Sequence, residues 1–216
     1  MLSSLKSLFE RSSGSTVGLN IQTDGIWVTR TYTKGKRLHL DLCEFLPAKV
    51  PEDRRKILKK WVKSHRLAKT PCHCVLNLDD YQLLQVPLPL NVPVAEQINA
   101  LRWQVQDVLR FPAVDAVLAT FEQPEGEKNT GPEKINLVAV PPHAVDMVKD
   151  LAAPSKLELN GVNIAELALG QILEQHPDAR EGVAMIHYFA NSGLIIFMRE
   201  KKLFFSAHTH TGANGL

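Results

Sequence analysis

Apolar and polar positions alternate along the first part of the chain in the pattern of β-strands. Residues 16–21 and 26–32 are rich in strand-forming side chains, and Asp24-Gly25 between them favours a tight turn because this pair tolerates positive φ. Three leucines then alternate with polar residues at the spacing of a half-buried strand: Leu38, Leu40 and Leu42. We therefore predict an antiparallel meander of three strands.

Helical spacing begins at Pro51-Glu52-Asp53, where proline and acidic residues suit the first turn of a helix. An apolar stripe follows at intervals of three and four: Ile57, Leu58, Trp61, Val62 and His65. The opposite side is basic: Arg54, Arg55, Lys56, Lys59, Lys60, Lys63 and Arg66. We interpret this basic side as the solvated face of an amphipathic helix. Contact with anionic lipid or an acidic partner is the alternative.

The middle of the chain mixes both periodicities. Residues 72–89 have strand character, with Asp79-Asp80 predicted as a hairpin turn. Residues 95–110 form the clearest predicted helix, which ends before Phe111-Pro112 because a residue preceding proline avoids the helical region. Its predicted apolar face consists of four residues: Ile98, Leu101, Val105 and Val108. Strands are predicted at 117–122 and 135–140, on either side of a flexible loop at 123–133.

The last third combines two predicted helices with a second set of strands. A helix is predicted at 143–151, and a second one that runs to about residue 175 begins at Asn163 with Glu166 three positions later, in the pattern of a capping box. Strands at 183–189, 194–198 and 203–207 predict a second meander, with turns at Asn191-Ser192-Gly193 and at residues 199–202. Residues 208–216 are polar or small, so we expect them to fray.

These elements predict an α/β or α+β chain with four parts. They are an amphipathic N-terminal segment at 1–13, a first meander and helix at 14–70, an inserted αβ subdomain at 71–140, and helices followed by the start of a second meander at 141–216. The two meanders form a weak internal repeat. In the N-terminal segment Leu2, Leu5, Leu8 and Phe9 lie at helical spacing, with Lys6 and Arg11 on the polar side.

Composition narrows the classes of function. Lys and Arg total 25 against 23 Asp and Glu, a net charge of +2, so we expect no nucleic acid as a partner. The hydrophobic fraction of 44% excludes a disordered chain. Three cysteines are too few for a disulfide framework and suit a reducing compartment. No apolar run approaches the roughly 18 residues of a membrane span, so we expect a cytoplasmic protein.

Enzymatic signatures are missing from the sequence. Cys72-His73-Cys74 invites a metal interpretation, but alternate residues of a strand face opposite ways and no second cysteine pair exists. Neither a G-x-S-x-G elbow nor a P-loop occurs. We therefore expect no metal and no catalytic residue.

The segment Val17-Gly18-Leu19-Asn20-Ile21-Gln22-Thr23-Asp24 resembles the first phosphate-binding hairpin of actin-like ATPases. There the pattern is apolar-Gly-apolar-Asp-apolar-Gly followed by small hydroxyl residues. The aspartate serves metal-bound water, and the glycine lets backbone N–H groups close on phosphate. Asn20 stands here in place of the aspartate and Gln22 in place of the glycine, followed by Thr23.

Residues 86–122 resemble the inserted subdomain of the PilM family, the cytoplasmic actin-like proteins of type IV pilus and type II secretion assembly platforms. The likeness lies in Val86 with Pro87-Leu88-Pro89, a helix to Arg110 that ends at Phe111-Pro112, and a strand through Phe121-Glu122. The elements at 135–173 continue the family's order. The resemblance implies an actin-like (ribonuclease H-like) fold with an inserted subdomain and a second half that is cut short.

The resemblance also implies where nucleotide would bind, and the chain departs from the pattern there. The second phosphate hairpin should carry an aspartate and a glycine, but the chain has His187, Tyr188 and Phe189. We therefore expect a non-catalytic scaffold without a cofactor; an actin-like ATPase that binds or weakly hydrolyses ATP with altered contacts is the alternative. The chain stops before the part that completes the family's adenosine pocket, which indicates either a fragment or an absent pocket.

The partner implied by the resemblance is the N-terminal cytoplasmic tail of a PilN-type inner-membrane protein. The tail is expected in a groove between the first meander and the inserted subdomain, through edge-strand hydrogen bonds and apolar pockets. The candidate lining residues are Leu83, Val86, Leu88, Leu101 and Arg102. An assembly ATPase is a further candidate partner, and self-association and peripheral binding to the inner membrane are left open.

Overall fold

Residues 14–35, 37–124, 133–189 and 192–215 are described by the computed structural model, and the chain divides into two units. The first unit comprises Met1–Asn77 and His143–Asn163, and the second comprises Leu78–Pro142 and Ile164–Leu216. The N-terminal segment predicted at 1–13 lies outside the described residues. So do residues 125–132 of the predicted loop, Asn191 of a predicted turn, and Lys36 between β2 and β3.

Strands dominate both units. In chain order the elements are β1 (Ser15–Ile21), β2 (Gly25–Lys34), β3 (Arg37–Pro47), α1 (Pro51–Ser64), β4 (Pro71–Val75), β5 (Gln82–Pro87), α2 (Val94–Val105), β6 (Val117–Phe121), β7 (Lys134–Val140), α3 (Pro142–Ala152), β8 (Glu158–Asn163), α4 (Ala165–Leu173), β9 (Val183–Tyr188), β10 (Gly193–Arg199) and β11 (Lys202–Thr209). None of the helices in the described ranges is long and apolar enough to cross a lipid bilayer.

The first unit is built on a five-stranded sheet with the strand order β3-β2-β1-β4-β8. Strands β1, β2 and β3 pair antiparallel, which confirms the predicted first meander, and β4 runs parallel to both β1 and β8. The buried face of the sheet carries Val17, Leu19 and Val28. Helix α1 buries Leu58 and Val62 of its predicted apolar stripe, because residues four positions apart lie on the same side of successive helical turns.

The predicted hairpin at Asp79-Asp80 is wrong. Strand β4, which the sequence grouped with the inserted subdomain, belongs to the first sheet, where its buried residues Cys72 and Cys74 lie beside β1. A 3-10 turn at Leu78–Asp80 then leads into β5, which lies in a different sheet. Strand periodicity does not specify which sheet a strand joins, so the two adjacent strands looked like one hairpin.

The expected half-buried leucine face of the third strand is also wrong at two positions. Leu38 is 72% exposed and Leu40 is 59% exposed. They pair with Thr33 and Thr31 on the face of the β2–β3 hairpin opposite Val28. Their alternation marks the outer face of this strand rather than the core.

Gly25 occupies the predicted first turn for a different reason from the one its sequence suggests. Positive φ is found at Gly35 and Gly182 but not at Gly25. A Cβ at Gly25 would instead fall inside contact distance of the Leu46 carbonyl oxygen and the Phe45 ring. Close approach of β3 therefore requires glycine here, and the turn itself is confirmed.

The inserted part of the second unit contains a three-stranded sheet with the order β5-β7-β6, against which α2 packs. Val86, Leu101, Val105 and Leu137 form its buried core. The predicted helix at 95–110 ends earlier, at Val105. Val108 is consequently 57% exposed, not buried on the helix face. Beyond the helix, the Gln82 side chain holds the segment that follows, because its Oε1 accepts a hydrogen bond from the Arg110 N–H at 2.6 Å.

The second meander is confirmed as the antiparallel sheet β9-β10-β11. Helix α4 packs on it closely enough that a Cβ at Gly170 would lie 3.3 Å from Met198 Sδ. The expectation that residues 208–216 fray is wrong for the described residues 208–215. Strand β11 continues to Thr209, and after it the Ala213 N–H donates to the Phe189 carbonyl at 2.8 Å.

Candidate functional site

The turn between β1 and β2 brings together the residues predicted at the first phosphate hairpin. The Gln22 side-chain amide donates to Asn20 Oδ1 at 2.6 Å, and the Gln22 backbone N–H donates to the Gly25 carbonyl at 2.9 Å. Thr23 follows as an exposed residue. The hairpin therefore uses the two substituted side chains to bind each other, and no carboxylate stands at position 20 to hold metal-bound water.

Arg54 of α1 binds the outside of this same turn. Its Nη2 donates to the carbonyl oxygens of Gln22 and Thr23, each at 2.8 Å, and its Nε donates to the Ala48 carbonyl at 2.9 Å. The sequence placed Arg54 on the solvated face of α1, and for this residue that interpretation is wrong. A guanidinium suits this position because its planar donors reach several carbonyls at once.

The second candidate hairpin, between β9 and β10, is closed by its own backbone. The Phe189 N–H donates to the Ser192 carbonyl at 2.8 Å, while the Phe189 carbonyl accepts from Ala213. The His187 and Phe189 rings meet edge to face, with centroids 4.5 Å apart. Burial lowers the pKa of His187 below its ordinary value, so the ring favours its neutral form. A phosphate-binding loop needs N–H groups that point to the ligand, and the Phe189 N–H is already used.

A buried carboxylate on α4 ties three segments of the second unit together. The Tyr81 hydroxyl donates to Glu166 Oε2 at 2.5 Å, and His208 Nε2 lies 2.9 Å from Glu166 Oε1. The Ala165 N–H donates to the Tyr81 hydroxyl at 3.3 Å. Burial, and after it the Glu166 charge, raises the pKa of Tyr81, so its proton stays available to the carboxylate.

This cluster overturns the predicted capping box. The N-cap of α4 is Ile164, without a side-chain cap, and Glu166 is fully buried in the interior. The motif spacing was present, but a buried acid needs donors of its own, and Tyr81 and His208 supply them. Sequence inspection missed the cluster because Tyr81 and His208 lie 85 and 42 positions away from Glu166.

The Cys72-His73-Cys74 motif is arranged as strand geometry predicts. Both cysteines are buried on one face, and His73 is exposed on the other. Burial raises the pKa of the Cys72 thiol to about 11, which keeps it protonated. Among the described residues, no group of three or more His, Cys, Asp or Glu side chains is arranged to hold a metal ion.

The five residues expected to line a peptide groove have three different environments. Val86 and Leu101 are core residues, 7% and 1% exposed, and offer a partner almost no surface. Arg102 donates from Nη1 to the carbonyls of Ala113 and Ala116, and so fixes the segment before β6.

Leu83 and Leu88 are only half-buried, so they are the predicted apolar residues that retain surface for a partner. Two apolar side chains on the outside of α2, which were not predicted to line a groove, are more exposed. Val94 is 82% exposed and Trp103 is 72% exposed. Neither belongs to the stripe of α2 that faces the core, so helical periodicity could have identified them as outward-facing.

Comparisons with known proteins connect this geometry to a fold. No protein-family profile and no curated protein sequence matches the chain. Among solved structures, a chain of the PilM–PilN type IV pilus biogenesis complex is similar with a TM-score of 0.71 and 19% identity, over 92% of this chain and 62% of that chain.

Two further structures share the fold. The cytoplasmic domain of EpsL, an inner membrane component of the type II secretion system of Vibrio cholerae, is similar with a TM-score of 0.61 and 10% identity, over 89% of this chain and 71% of that domain. A Bacteroides thetaiotaomicron protein of unknown function with an actin-like ATPase fold has a TM-score of 0.53 and 8% identity, over 94% of this chain and 73% of that one.

These similarities show that the chain has an actin-like fold, and the predicted fold class is confirmed. The chain spans 62% of the length of its counterpart in the PilM–PilN complex.

Proposed function

We propose that the chain is a PilM-type actin-like component of a type IV pilus or type II secretion assembly platform, and that within that family it corresponds to the MSHA pilus protein MshI. The observation that carries this proposal is the similarity to the PilM–PilN complex over 92% of the chain. The likeness to EpsL, a component of a related machine, supports it.

The proposed activity is that of a scaffold, which binds a partner protein without catalysing a reaction. The partner is the N-terminal cytoplasmic tail of a PilN-type membrane protein, and its membrane anchor would keep the scaffold at the cytoplasmic face of the inner membrane. In the inserted subdomain, β5 and β6 each have one neighbour in the three-stranded sheet, so an extended tail can add to an edge by main-chain hydrogen bonds. Leu83 and Leu88 supply apolar contact beside β5.

Catalysis is not part of the proposal. Nucleotide hydrolysis in this fold needs a carboxylate for metal-bound water and N–H donors for phosphate. In the first hairpin the side-chain amides of Gln22 and Asn20 occupy the positions of the glycine and the carboxylate, and they bind each other. In the second hairpin the Phe189 N–H already donates to the Ser192 carbonyl.

A direct test is fluorescence anisotropy of a labelled synthetic peptide that carries the tail of the PilN-type protein from the same organism. At low salt we expect saturable binding at one peptide per chain. The variant L83S/L88S should bind about tenfold more weakly, since each apolar contact removed loses free energy in proportion to its buried area. The control V50S removes a half-exposed valine from the first unit and should bind as wild type does.

Absence of saturable binding by the wild-type chain would refute the scaffold proposal. Equal affinity of L83S/L88S and wild type would refute the placement on β5 and leave the proposed partner standing.

A further inference from the structure

A surface of uncompensated positive charge lies at the end of helix α1. This basic surface consists of six exposed side chains from three neighbouring segments: Lys59, Lys60, Lys63, Arg66, Lys69 and Lys156. None of the six takes part in an ion pair with another described residue. The net charge of the whole sequence is only +2, so the rest of the chain is net negative. The charge of the first unit is therefore strongly polarised towards this surface.

Backbone contacts hold the three segments of the basic surface together. The Arg66 N–H donates to the Lys63 carbonyl at 3.2 Å, directly after the end of α1. The Lys69 N–H donates to the Lys156 carbonyl at 2.7 Å, and the 3-10 turn before Lys156, Ala153–Ser155, packs against α1. All three segments belong to the first unit. The six cations therefore occupy one part of the surface on a backbone that hydrogen bonds hold in place.

Local stability does not account for these cations. The helix dipole favours positive charge in the last turn of α1, and that turn contains only Lys63. Lysines three and four positions apart along a helix repel each other. Arg66, Lys69 and Lys156 have φ values of 57°, 63° and 61°, at which glycine or asparagine is the favoured residue. The positive charge is kept at some cost in stability, which indicates a negatively charged partner.

The surroundings of the cations favour a lipid surface over a protein or a nucleic acid. No large hydrophobic side chain in residues 51–75 or 142–161 is exposed, and Trp61, the aromatic residue of α1, is only 5% exposed. Protein interfaces are enriched in aromatic side chains and depleted in lysine, and single-stranded nucleic acid stacks its bases on exposed rings. A layer of anionic headgroups needs only positive charge, and each lysine or arginine near it adds its own attraction.

We propose that the basic surface binds the anionic phospholipid headgroups of a membrane. The contact is electrostatic and peripheral, and it turns the end of α1 towards the lipid. It is independent of the proposed PilN-type tail, because the tail binds the inserted subdomain whereas the lipid binds the first unit.

Co-sedimentation of the whole chain with lipid vesicles tests the proposal. We expect binding to vesicles that contain phosphatidylglycerol and none to vesicles of phosphatidylcholine alone. Binding should disappear at about 1 M NaCl, where the electrostatic screening length is about 3 Å. The variant K59Q/K60Q/K63Q should partition onto the anionic vesicles about 100-fold more weakly, because each lysine near such a surface contributes about fivefold to the partition coefficient.

A matched control separates the basic surface from the net charge of the chain. The variant K134Q/R180Q/K201Q removes three exposed cations from the second unit and so changes the net charge by the same amount. It should partition within about twofold of wild type, because charges more than a screening length from the lipid contribute little.

The charge of the three lysines should govern the binding rather than any part they have in folding. They are exposed on α1, and glutamine has a helix propensity similar to that of lysine, so K59Q/K60Q/K63Q should fold. The variant K59R/K60R/K63R keeps the charges and should bind as wild type does. The salt dependence of wild-type binding needs no variant and gives a second measurement.

Absence of binding by the wild-type chain to phosphatidylglycerol vesicles would overturn the proposal. Equal losses in K59Q/K60Q/K63Q and the second-unit control would overturn it too, because net charge alone would then explain the binding. Tighter binding to an RNA oligomer or to polyglutamate than to the vesicles, lost in K59Q/K60Q/K63Q, would overturn it in favour of another polyanion. None of these results bears on the PilN-type tail, whose binding is measured without lipid.

Discussion

Arg54 Nη2 donates to the Gln22 carbonyl oxygen at 2.8 Å and so joins the first turn of the sheet to the helix α1 that follows it. In the hairpin that this segment resembles, the position of Gln22 belongs to a glycine whose neighbours close on phosphate. Here the turn is held from outside by a guanidinium and from inside by the Gln22–Asn20 amide contact. In this turn the two side chains that depart from the pattern therefore bind each other, and Arg54 binds the backbone.

Replacing Arg54 should destabilise the first unit. R54M removes the hydrogen bonds to the carbonyls of Ala48, Gln22 and Thr23, and hydrogen bonds from charged donors contribute more than neutral ones. We expect the free energy of unfolding in urea to fall by about 2 kcal/mol. R55M is the matched control, because among the described residues Arg55 bonds only to the exposed Glu52 within the helix, and it should change stability by less than about 0.5 kcal/mol. Equal effects of the two variants would contradict the structural role of Arg54.

The Tyr81–Glu166 contact should contribute to stability as a unit. Y81F leaves the buried Glu166 Oε2 without its tyrosine donor, and we expect a loss of about 1–3 kcal/mol in chemical denaturation. In a double-mutant cycle with E166Q, the two losses should be non-additive by about 1 kcal/mol. Y188F changes the same atoms at a partly exposed tyrosine and should be within about 0.5 kcal/mol of wild type. Additive losses in the cycle would argue against the contact.

His187 should make the protein less stable in acid. Burial holds the pKa of the folded-state ring below its ordinary value of 6.5, so the unfolded chain takes up the proton first as the pH falls. The stability associated with a neutral ring is complete above about pH 6.5 and is lost as the pH falls through the folded-state pKa.

Unfolding of wild type and H187Q across pH 8 to 5 measures this contribution. The H187Q curve should be flatter in the acid range, whereas H143Q, at an exposed position, should follow wild type. Parallel curves for wild type and H187Q would show that burial of this ring does not control the acid response.

Local patterns in the sequence were sufficient for most elements of the fold. Both meanders and the main helices follow from alternation and from spacing of three and four, because one covered side per element leaves a periodic trace. The failures lie where periodicity does not define the environment. Leu38 and Leu40 alternate as expected but lie on the outer face, and α2 ends at Val105, before the predicted end at Arg110, where the Gln82 side chain holds the backbone of the segment that follows the helix.

For the candidate site, the sequence identified which residues differ from the motif but not what those residues contact. Asn20, Gln22, His187 and Phe189 can be identified by comparing motif positions. The groups that bind them cannot be identified in this way, because Arg54, which binds the Gln22 carbonyl, and Ala213, which binds the Phe189 carbonyl, are distant in sequence. Val86 and Leu101 looked like a binding surface for the opposite reason: apolar residues at a sheet–helix junction have the same sequence pattern in a core as in a groove.

Thermal unfolding with and without Mg-ATP tests the central claim most directly. A ligand at 100 times its dissociation constant stabilises a protein by about 2.7 kcal/mol, which is a readily measured rise in Tm. With the Asn20 hairpin and the Phe189 hairpin closed as described, we predict no change in Tm at millimolar Mg-ATP. A saturable rise in Tm that is lost when magnesium is removed would contradict the account and make the chain a nucleotide-binding protein.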